Sequence, residues 1–106
     1  KMDRKKDLET VKEFKEKASK KMSIKKIILF GSRAKGKTHE WSDFDLIVVS
    51  DKFKKKKSFK RAAVLYDYWN EDYPVDILCY TPEEFNKLKK MVSIVRNAIK
   101  EGIEIK

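Results

Sequence analysis

Two aspartates separated by a single residue are the most chemically suggestive feature of the sequence. Asp43 and Asp45 precede the apolar run LIVV at residues 46–49, which is typical of a strand covered on both faces. Alternate residues of a strand point to the same side, so both carboxylates would leave one face within a few ångströms of each other. Like charges this close repel unless a cation lies between them. The pair predicts a cation site where the strand begins.

A third aspartate occupies the same position in the next predicted strand along the chain. Asp76 is followed directly by Ile77 and Leu78. Three carboxylates at strand ends, in a chain with one cysteine and one histidine, form an all-oxygen ligand set suited to Mg²⁺ rather than to zinc. Each aspartate alone would be interpreted as a strand cap or a surface acid. Their combination favours a metal site.

A glycine and a serine follow the first predicted strand, IILF. Gly31 allows a sharp turn and a close approach of the backbone to a ligand. Ser32 is expected to cap a short helix over residues 32–37 and to present N–H groups and a hydroxyl to an anion. We therefore expect an anion site facing the carboxylates. In the loop between them, His39 is interpreted as solvent-exposed and Trp41 as locally packed, rather than as a catalytic base and a base-stacking residue.

The elements that must position these residues alternate along the chain. Apolar residues at spacings of three and four predict helices over 3–22 and 59–72, and the sequence TPEE at 81–84 predicts a capped helix start. That helix is expected to continue through Val95. A last helix is expected to end at Gly102, and the segment IEIK is expected to add an edge strand.

The placement of the site constrains the topology of the sheet. The anion site lies at the end of the first strand, and the carboxylates lie at the beginnings of the second and third strands. The first strand should therefore run antiparallel to the second, and the third parallel to it through a right-handed crossover. We expect an α/β (α+β) fold, a mixed sheet of three to four strands flanked by helices, in one domain over residues 1–106.

Composition narrows the class of protein. The formal net charge is +10, and residues 52–61 carry seven bases and no acid. A solvated loop is slightly favoured for this run over a nucleic-acid contact, because only two aromatic residues lie within it. Cys79 is the only cysteine and is interpreted as a small buried side chain, which suits a reducing, cytoplasmic setting. No apolar run is long enough to span a bilayer, so no membrane partner is expected.

Two motifs resemble those of a known superfamily. GSRAKG at residues 31–36 and SDFDL at residues 42–46 are similar to the motifs of minimal nucleotidyltransferases in the DNA polymerase β-like superfamily, and VDI at residues 75–77 resembles the strand that carries the third carboxylate. The resemblance covers most of the chain and implies the polymerase β-like nucleotidyltransferase fold.

The resemblance also implies an activity, a cofactor and roles for particular residues. The activity is Mg²⁺-dependent transfer of a nucleotidyl group, AMP from ATP, to a hydroxyl acceptor. Asp43, Asp45 and Asp76 would be the catalytic residues and would hold two Mg²⁺ ions. Gly31, Ser32 and Arg33 would bind the nucleoside triphosphate, with Arg33 or Lys35 adding positive charge.

Minimal members of the superfamily are commonly paired with HEPN-domain toxins, which implies a HEPN-type partner that receives AMP while this chain acts as its antitoxin. Two alternatives stay open. The chain would neutralise its partner by contact with little catalysis, or it would transfer the nucleotide to a nucleic-acid end.

Overall fold

The computed structural model describes residues 4–36 and 42–106 and forms a four-stranded sheet with helices on both faces. His39 and Trp41 lie outside the described residues. The strands are β1 (Lys26–Phe30), β2 (Phe44–Val49), β3 (Val75–Tyr80) and β4 (Ile103–Glu104). The α-helices are α1 (Arg4–Ser19), α2 (Gly31–Lys35), α3 (Ser58–Arg61), α4 (Ala63–Tyr66), α5 (Pro82–Leu88) and α6 (Ile94–Glu101).

The strand order and directions agree with the topology predicted from the sequence. The order across the sheet is β3-β2-β1-β4. β1 pairs antiparallel with β2, and β2 pairs parallel with β3. The C-terminal IEIK segment adds β4 antiparallel to β1, so the expected edge strand is confirmed. The mixed sheet flanked by helices confirms the predicted fold class.

Alternate strand residues divide the core into two apolar layers. One layer contains Leu46 and Val48 of β2 together with the buried stripe of α1, formed by Val11, Phe14 and Ala18. The other contains the residues of opposite parity, including Ile47 and Val49, packed on α5 and α6. Because both faces are covered, the central strand needs no polar side, which explains its uninterrupted apolar run.

The helix expected over 59–72 is replaced by the two short helices α3 and α4. Phe59 and Tyr66, which the helical spacing would place on the buried face, are 77% and 44% exposed, although Trp69 and Tyr73 pack against the core. Arg61 and Leu65 are buried instead. The basic run is also not simply a loop: Ser50 caps a 3-10 helix at Asp51–Lys55 by accepting a hydrogen bond from the Lys52 amide at 3.1 Å.

The helix that begins at TPEE has the predicted capping box, with Thr81 and Glu84 exchanging side-chain to backbone hydrogen bonds. Its predicted continuation through Val95 is wrong, because α5 ends at Leu88 and α6 begins at Ile94. Ser93 separates the two helices: its hydroxyl donates to the Leu88 carbonyl at 2.7 Å and accepts from the Arg96 amide at 3.1 Å.

Cys79 lies on β3, half-buried, with a free thiol. Burial raises the pKa of this thiol to about 12, against a smaller lowering effect of the Arg61 charge. A thiol with this pKa stays protonated and behaves as a small apolar side chain, as the sequence suggests. Among the described residues, no helix has both the length and the apolar character needed to cross a membrane.

Candidate active site

Strand pairing brings the three aspartates to one end of the sheet. Asp45 lies opposite Asp76 in the parallel pairing of β2 and β3. Asp43 lies two residues before Asp45, immediately outside β2, and the Phe44 amide donates to the Pro74 carbonyl at 2.9 Å. Asp45 and Asp76 have the parity of the sheet face that α5 and α6 cover further along the strands. The structure therefore places the acids as neighbours at the beginnings of the two parallel strands.

The three carboxylates influence one another electrostatically. Asp45 is half-buried, whereas Asp43 and Asp76 are exposed. Burial raises the pKa of Asp45 above its ordinary value, and the charges of Asp76 and Asp43 raise it further. The cluster is thus electrostatically unfavourable while it stands alone, and a bound cation would relieve the repulsion.

The donor set fits a hard divalent cation. The acids supply only oxygen ligands, which Mg²⁺ prefers, and no sulfur or imidazole ligand accompanies them in the described residues. Within residues 4–36 and 42–106, no group of three or more acidic, histidine or cysteine side chains is arranged to hold a metal ion by itself. Any ion held here would keep coordination positions for water or substrate oxygens, as Mg²⁺ commonly does.

Gly31 packs directly against the central carboxylate. Its φ is +74°, in the left-handed region that favours glycine, and a Cβ at this position would overlap the Oδ2 atom of Asp45. The residue opposite Asp45 on β1 is Phe30, so Gly31 is the first residue beyond the pairing. A glycine at this position therefore allows the β1–α2 turn and the carboxylate to approach each other closely.

The predicted role of Ser32 as a helix cap is wrong, because α2 begins one residue earlier and its N-cap position is Phe30. The turn at Gly31 shifts the helix start. Ser32 lies in the first turn of α2 and is exposed. Ser32 directly follows Gly31, the residue that packs against Asp45, so its backbone lies close to the acids. Gly36, with φ +71°, ends the helix as expected.

The side chain of Arg33 is not exposed at the surface, where it would have to lie to contact a nucleotide. It is 2% exposed, and its Nη1 atom contacts Asp7 Oδ1 at 2.9 Å. Its Nε atom donates to the Ser42 carbonyl at 2.8 Å. Because the guanidinium is buried among these groups, the predicted nucleotide contact is corrected to a structural role. Lys35 is half-exposed and pairs with Glu101 of α6 at 2.8 Å.

Sequence reasoning missed the partner of Arg33. Asp7 is 6% exposed, and its Oδ2 atom has no hydrogen-bond partner within the described part of the chain. A signal for it exists in the sequence: Asp7 lies four residues before Val11 and seven before Phe14, so it continues the apolar stripe of α1. An acid on a buried stripe requires a cationic partner, and Arg33 supplies it.

Comparisons with known proteins identify the family and the fold of the chain. The family profile described as "Nucleotidyltransferase domain" matches residues 9–105. A protein from Sulfolobus solfataricus, assigned to the nucleotidyltransferases in its crystal structure, superposes with a TM-score of 0.68 at 20% identity, covering 95% of this chain and 80% of that chain. The BolA domain of SufE1 from Arabidopsis thaliana superposes with a TM-score of 0.50 at 25% identity, covering 67% of this chain and 90% of that chain. No curated protein gives a significant match.

The likeness to the archaeal structure shows the shared fold, because the identity is low. The family profile is the stronger finding, since it spans α1 through the C-terminal edge strand and includes the glycine turn and all three aspartates. The chain therefore belongs to the nucleotidyltransferase domain family.

Proposed function

We propose that this protein transfers AMP from ATP to a hydroxyl group on a partner protein, in a reaction that requires Mg²⁺. The observation that carries the proposal is the pairing of Asp45 with Asp76 across β2 and β3. Asp45 also lies two residues after Asp43 and packs against Gly31. This arrangement sets an oxygen-ligand cluster beside a backbone turn that tolerates close approach. Membership of the nucleotidyltransferase family supports nucleotidyl transfer in general.

Asp43 and Asp45 would hold two Mg²⁺ ions, and Asp76 would help to hold one of them. When bound, the ions supply charge neutralisation on the attacking and leaving oxygens of an in-line displacement. Gly31 and Ser32 would hold the triphosphate through backbone N–H groups and the serine hydroxyl. Arg33 is not included in this nucleotide site, because its guanidinium is buried.

The proposed reaction balances as a displacement at phosphorus. The acceptor hydroxyl oxygen forms a bond to the α-phosphorus of ATP, and the bond to the bridging oxygen breaks, so that pyrophosphate leaves. Asp76 is exposed and accepts the proton from the acceptor hydroxyl. Asp45, whose pKa is raised by burial and by its acidic neighbours, must be ionised to serve as a ligand. A bound cation favours that ionised form.

A protein is the acceptor favoured by the exposed surface. Trp69 packs edge-on against Phe14 and Phe44 and donates to the Tyr73 carbonyl, whereas the nearby Tyr66 on α4 is 44% exposed. A second apolar group lies on α6 and the turn before it. Its exposed members are Met91, Val92, Ile94 and Ile99. Exposed apolar groups of this kind often mark protein contacts, and the partner we propose is a HEPN-type toxin neutralised by AMP transfer.

Ligand binding is the first test of this proposal. Mg²⁺ and ATP added together should raise the melting temperature, and the double variant Asp43→Asn/Asp45→Asn should abolish the rise. The double variant Glu9→Gln/Asp67→Asn removes the same charge from exposed acids outside the cluster and should keep it. An equal rise in all three proteins would place the nucleotide elsewhere.

Transfer is the second test. ATP labelled on the α-phosphate, Mg²⁺ and the protein encoded by the neighbouring gene should give a labelled partner with wild type and none with Asp43→Asn. Label on added RNA alone would replace the acceptor with a nucleic-acid end. Tight complex formation without label would favour neutralisation by contact.

A further inference from the structure

We propose that Arg33 is a positioning residue that fixes the backbone segments carrying the three aspartates relative to one another. The inference deepens the proposed function and rests on it for its kinetic readout. The residue lies directly after Ser32 in the sequence, but its side chain points into the protein and is 2% exposed. It therefore acts on the site through other residues.

The first contact of Arg33 reaches the segment before Asp43. Its Nε atom donates to the carbonyl of Ser42, the residue immediately preceding Asp43, at 2.8 Å. Its Nη1 atom contacts Asp7 Oδ1 on α1 at 2.9 Å. One guanidinium thus links the segment before β2 to the first helix, at the point where the chain enters the sheet.

The remaining contacts of Arg33 are with residues close in sequence to the other two aspartates. The guanidinium carbon lies 4.1 Å from the ring centre of Phe44, which stands between Asp43 and Asp45. It also lies 4.7 Å from the ring centre of Tyr73, three residues before Asp76. The hydrogen bond from the Phe44 amide to the Pro74 carbonyl joins the segments that carry these two rings. Every segment that carries a site aspartate therefore borders this one cation.

The chemistry of the side chain explains why arginine is used. Asp7 neutralises the charge of Arg33, so its effect on the aspartates is mainly geometric. A guanidinium has donors in a fixed fork and a planar face, and it can bond an acid, a carbonyl and two rings at once. A lysine at this position would keep the charge but could not reproduce the fork or the stacking.

The chain offers a matched control in a second buried arginine. Arg61 is 6% exposed and contacts Glu84 with two nitrogens, at 2.6 and 3.2 Å. It also donates to the Cys79 carbonyl at 3.2 Å. This second arginine lies at the end of β3 opposite Asp76. It has the same kind of partners as Arg33 but borders none of the site aspartates.

The experiment compares Arg33→Lys with Arg61→Lys by steady-state kinetics and by amide hydrogen exchange. Arg33→Lys should lower kcat about 100-fold, the effect of a small misplacement of catalytic groups, and should leave the KM for ATP unchanged. Arg61→Lys should lower the melting temperature by a similar amount but leave kcat and the KM for ATP unchanged. The Phe44 amide should exchange faster in Arg33→Lys than in Arg61→Lys.

Four outcomes would overturn the proposal. A raised KM for ATP with unchanged kcat would show that Arg33 contacts the nucleotide. An equal loss of kcat in both lysine variants would show general loosening of the fold. A folded Arg33→Lys with full kcat would remove the positioning role. An unchanged exchange rate of the Phe44 amide in Arg33→Lys would overturn the positioning role. This measurement does not depend on activity, so it stands apart from the failure of the proposed function, which an absence of transfer by the wild type would show. Should Arg33→Lys not fold, Asp7→Asn must show the same selective loss of kcat.

Discussion

Asp45 is the residue of the candidate site whose ionised form is electrostatically unfavourable. Burial and the charges of Asp76 and Asp43 raise its pKa, so its ionised form opposes folding at neutral pH. Asp45→Asn keeps the shape of the side chain and removes the charge. We expect this variant to have a higher melting temperature than wild type in metal-free buffer at pH 7, measured by circular dichroism, while losing the Mg²⁺-dependent response to ATP.

The pH dependence of this difference follows from the direction of the shift. A group whose folded-state pKa is raised destabilises the fold above that pKa, and the penalty disappears as the pH falls through it. The gap in melting temperature between Asp45→Asn and wild type should therefore narrow on acidification. Asp67→Asn, an exposed acid outside the cluster, is the control. A gap that widens on acidification would contradict the assignment.

Gly31 is the second residue whose identity the site depends on. A methyl group there would meet the Asp45 carboxylate, and the φ of +74° would add backbone strain. We expect Gly31→Ala to cost about 1–3 kcal/mol of the free energy of unfolding and to weaken Mg²⁺–ATP binding, measured by denaturant titration and calorimetry. Gly36→Ala has a similar φ of +71° but meets only the Arg4 side chain. It should lose stability and keep binding.

At the residue scale, the sequence predicts the acids better than it predicts the basic residues around them. Asp43, Asp45 and Asp76 are recognisable because their spacing is tied to strand periodicity. Arg33 is adjacent to Ser32, and sequence adjacency suggests a shared ligand. On a helix, however, neighbouring residues point about 100° apart, so Arg33 enters the core while Ser32 is exposed.

At the element scale, the start of α5 gives a test of stability that should not affect the site. The Glu84 amide donates to Thr81 Oγ1 at 3.1 Å, and the Thr81 amide donates to Glu84 Oε1 at 2.8 Å. Thr81→Ala should cost about 1 kcal/mol of the free energy of unfolding, measured by denaturant titration. Because this cap lies after β3, at the end remote from Asp76, kcat should be unchanged. A large loss of kcat would mean that the ends of the sheet are coupled.

Element boundaries were predictable where local capping chemistry decides them. The TPEE motif carries its own hydrogen-bond partners, and its helix begins as predicted. The predicted helix over 59–72 fails because periodicity selected Phe59 and Tyr66, whereas the buried positions are taken by Arg61 and Leu65. Arg61 is buried with Glu84 of a later helix as its ion-pair partner and with the Cys79 carbonyl as an acceptor. A long-range ion pair of this kind leaves no local pattern in the sequence.

At the scale of the whole molecule, the basic run and the acids lie at opposite ends of β2. The strand has six residues, which span roughly 17–20 Å, while the Debye length at about 0.15 M salt is about 8 Å. Replacing Lys55, Lys56 and Lys57 with serine should therefore leave ATP association unchanged at about 0.15 M salt. At about 0.01 M salt, where the Debye length is about 30 Å, association should slow.

Stopped-flow binding of a fluorescent ATP analogue with Mg²⁺ measures both conditions. Lys35→Ser is the contrasting variant, because Lys35 lies on α2 within one turn of Ser32 and should influence association at either ionic strength. Loss of ligand binding in the triple lysine variant would show that the run contributes directly to the site.

The arrangement of the whole sheet could be predicted because function constrained it. If one ligand contacts the end of β1 and the beginnings of β2 and β3, the relative strand directions follow, and the observed pairing has those directions. The interruption between α5 and α6 could not be predicted in the same way. Met91 and Val92 fit a continuing apolar pattern, but they are exposed at the turn where Ser93 starts a new helix.

The reactivity of Cys79 can report how often β3 separates from the rest of the sheet. With a pKa of about 12, only about one thiol in ten thousand is ionised at pH 8, and alkylating reagents react with the ionised form. The sequence contains no other cysteine, so any covalent label attached by iodoacetamide identifies β3 without a mutation. When the strand separates from its neighbours, the thiol regains an ordinary acidity and becomes reactive. The rate of alkylation of the native protein therefore measures the local unfolding of β3 at this edge of the sheet.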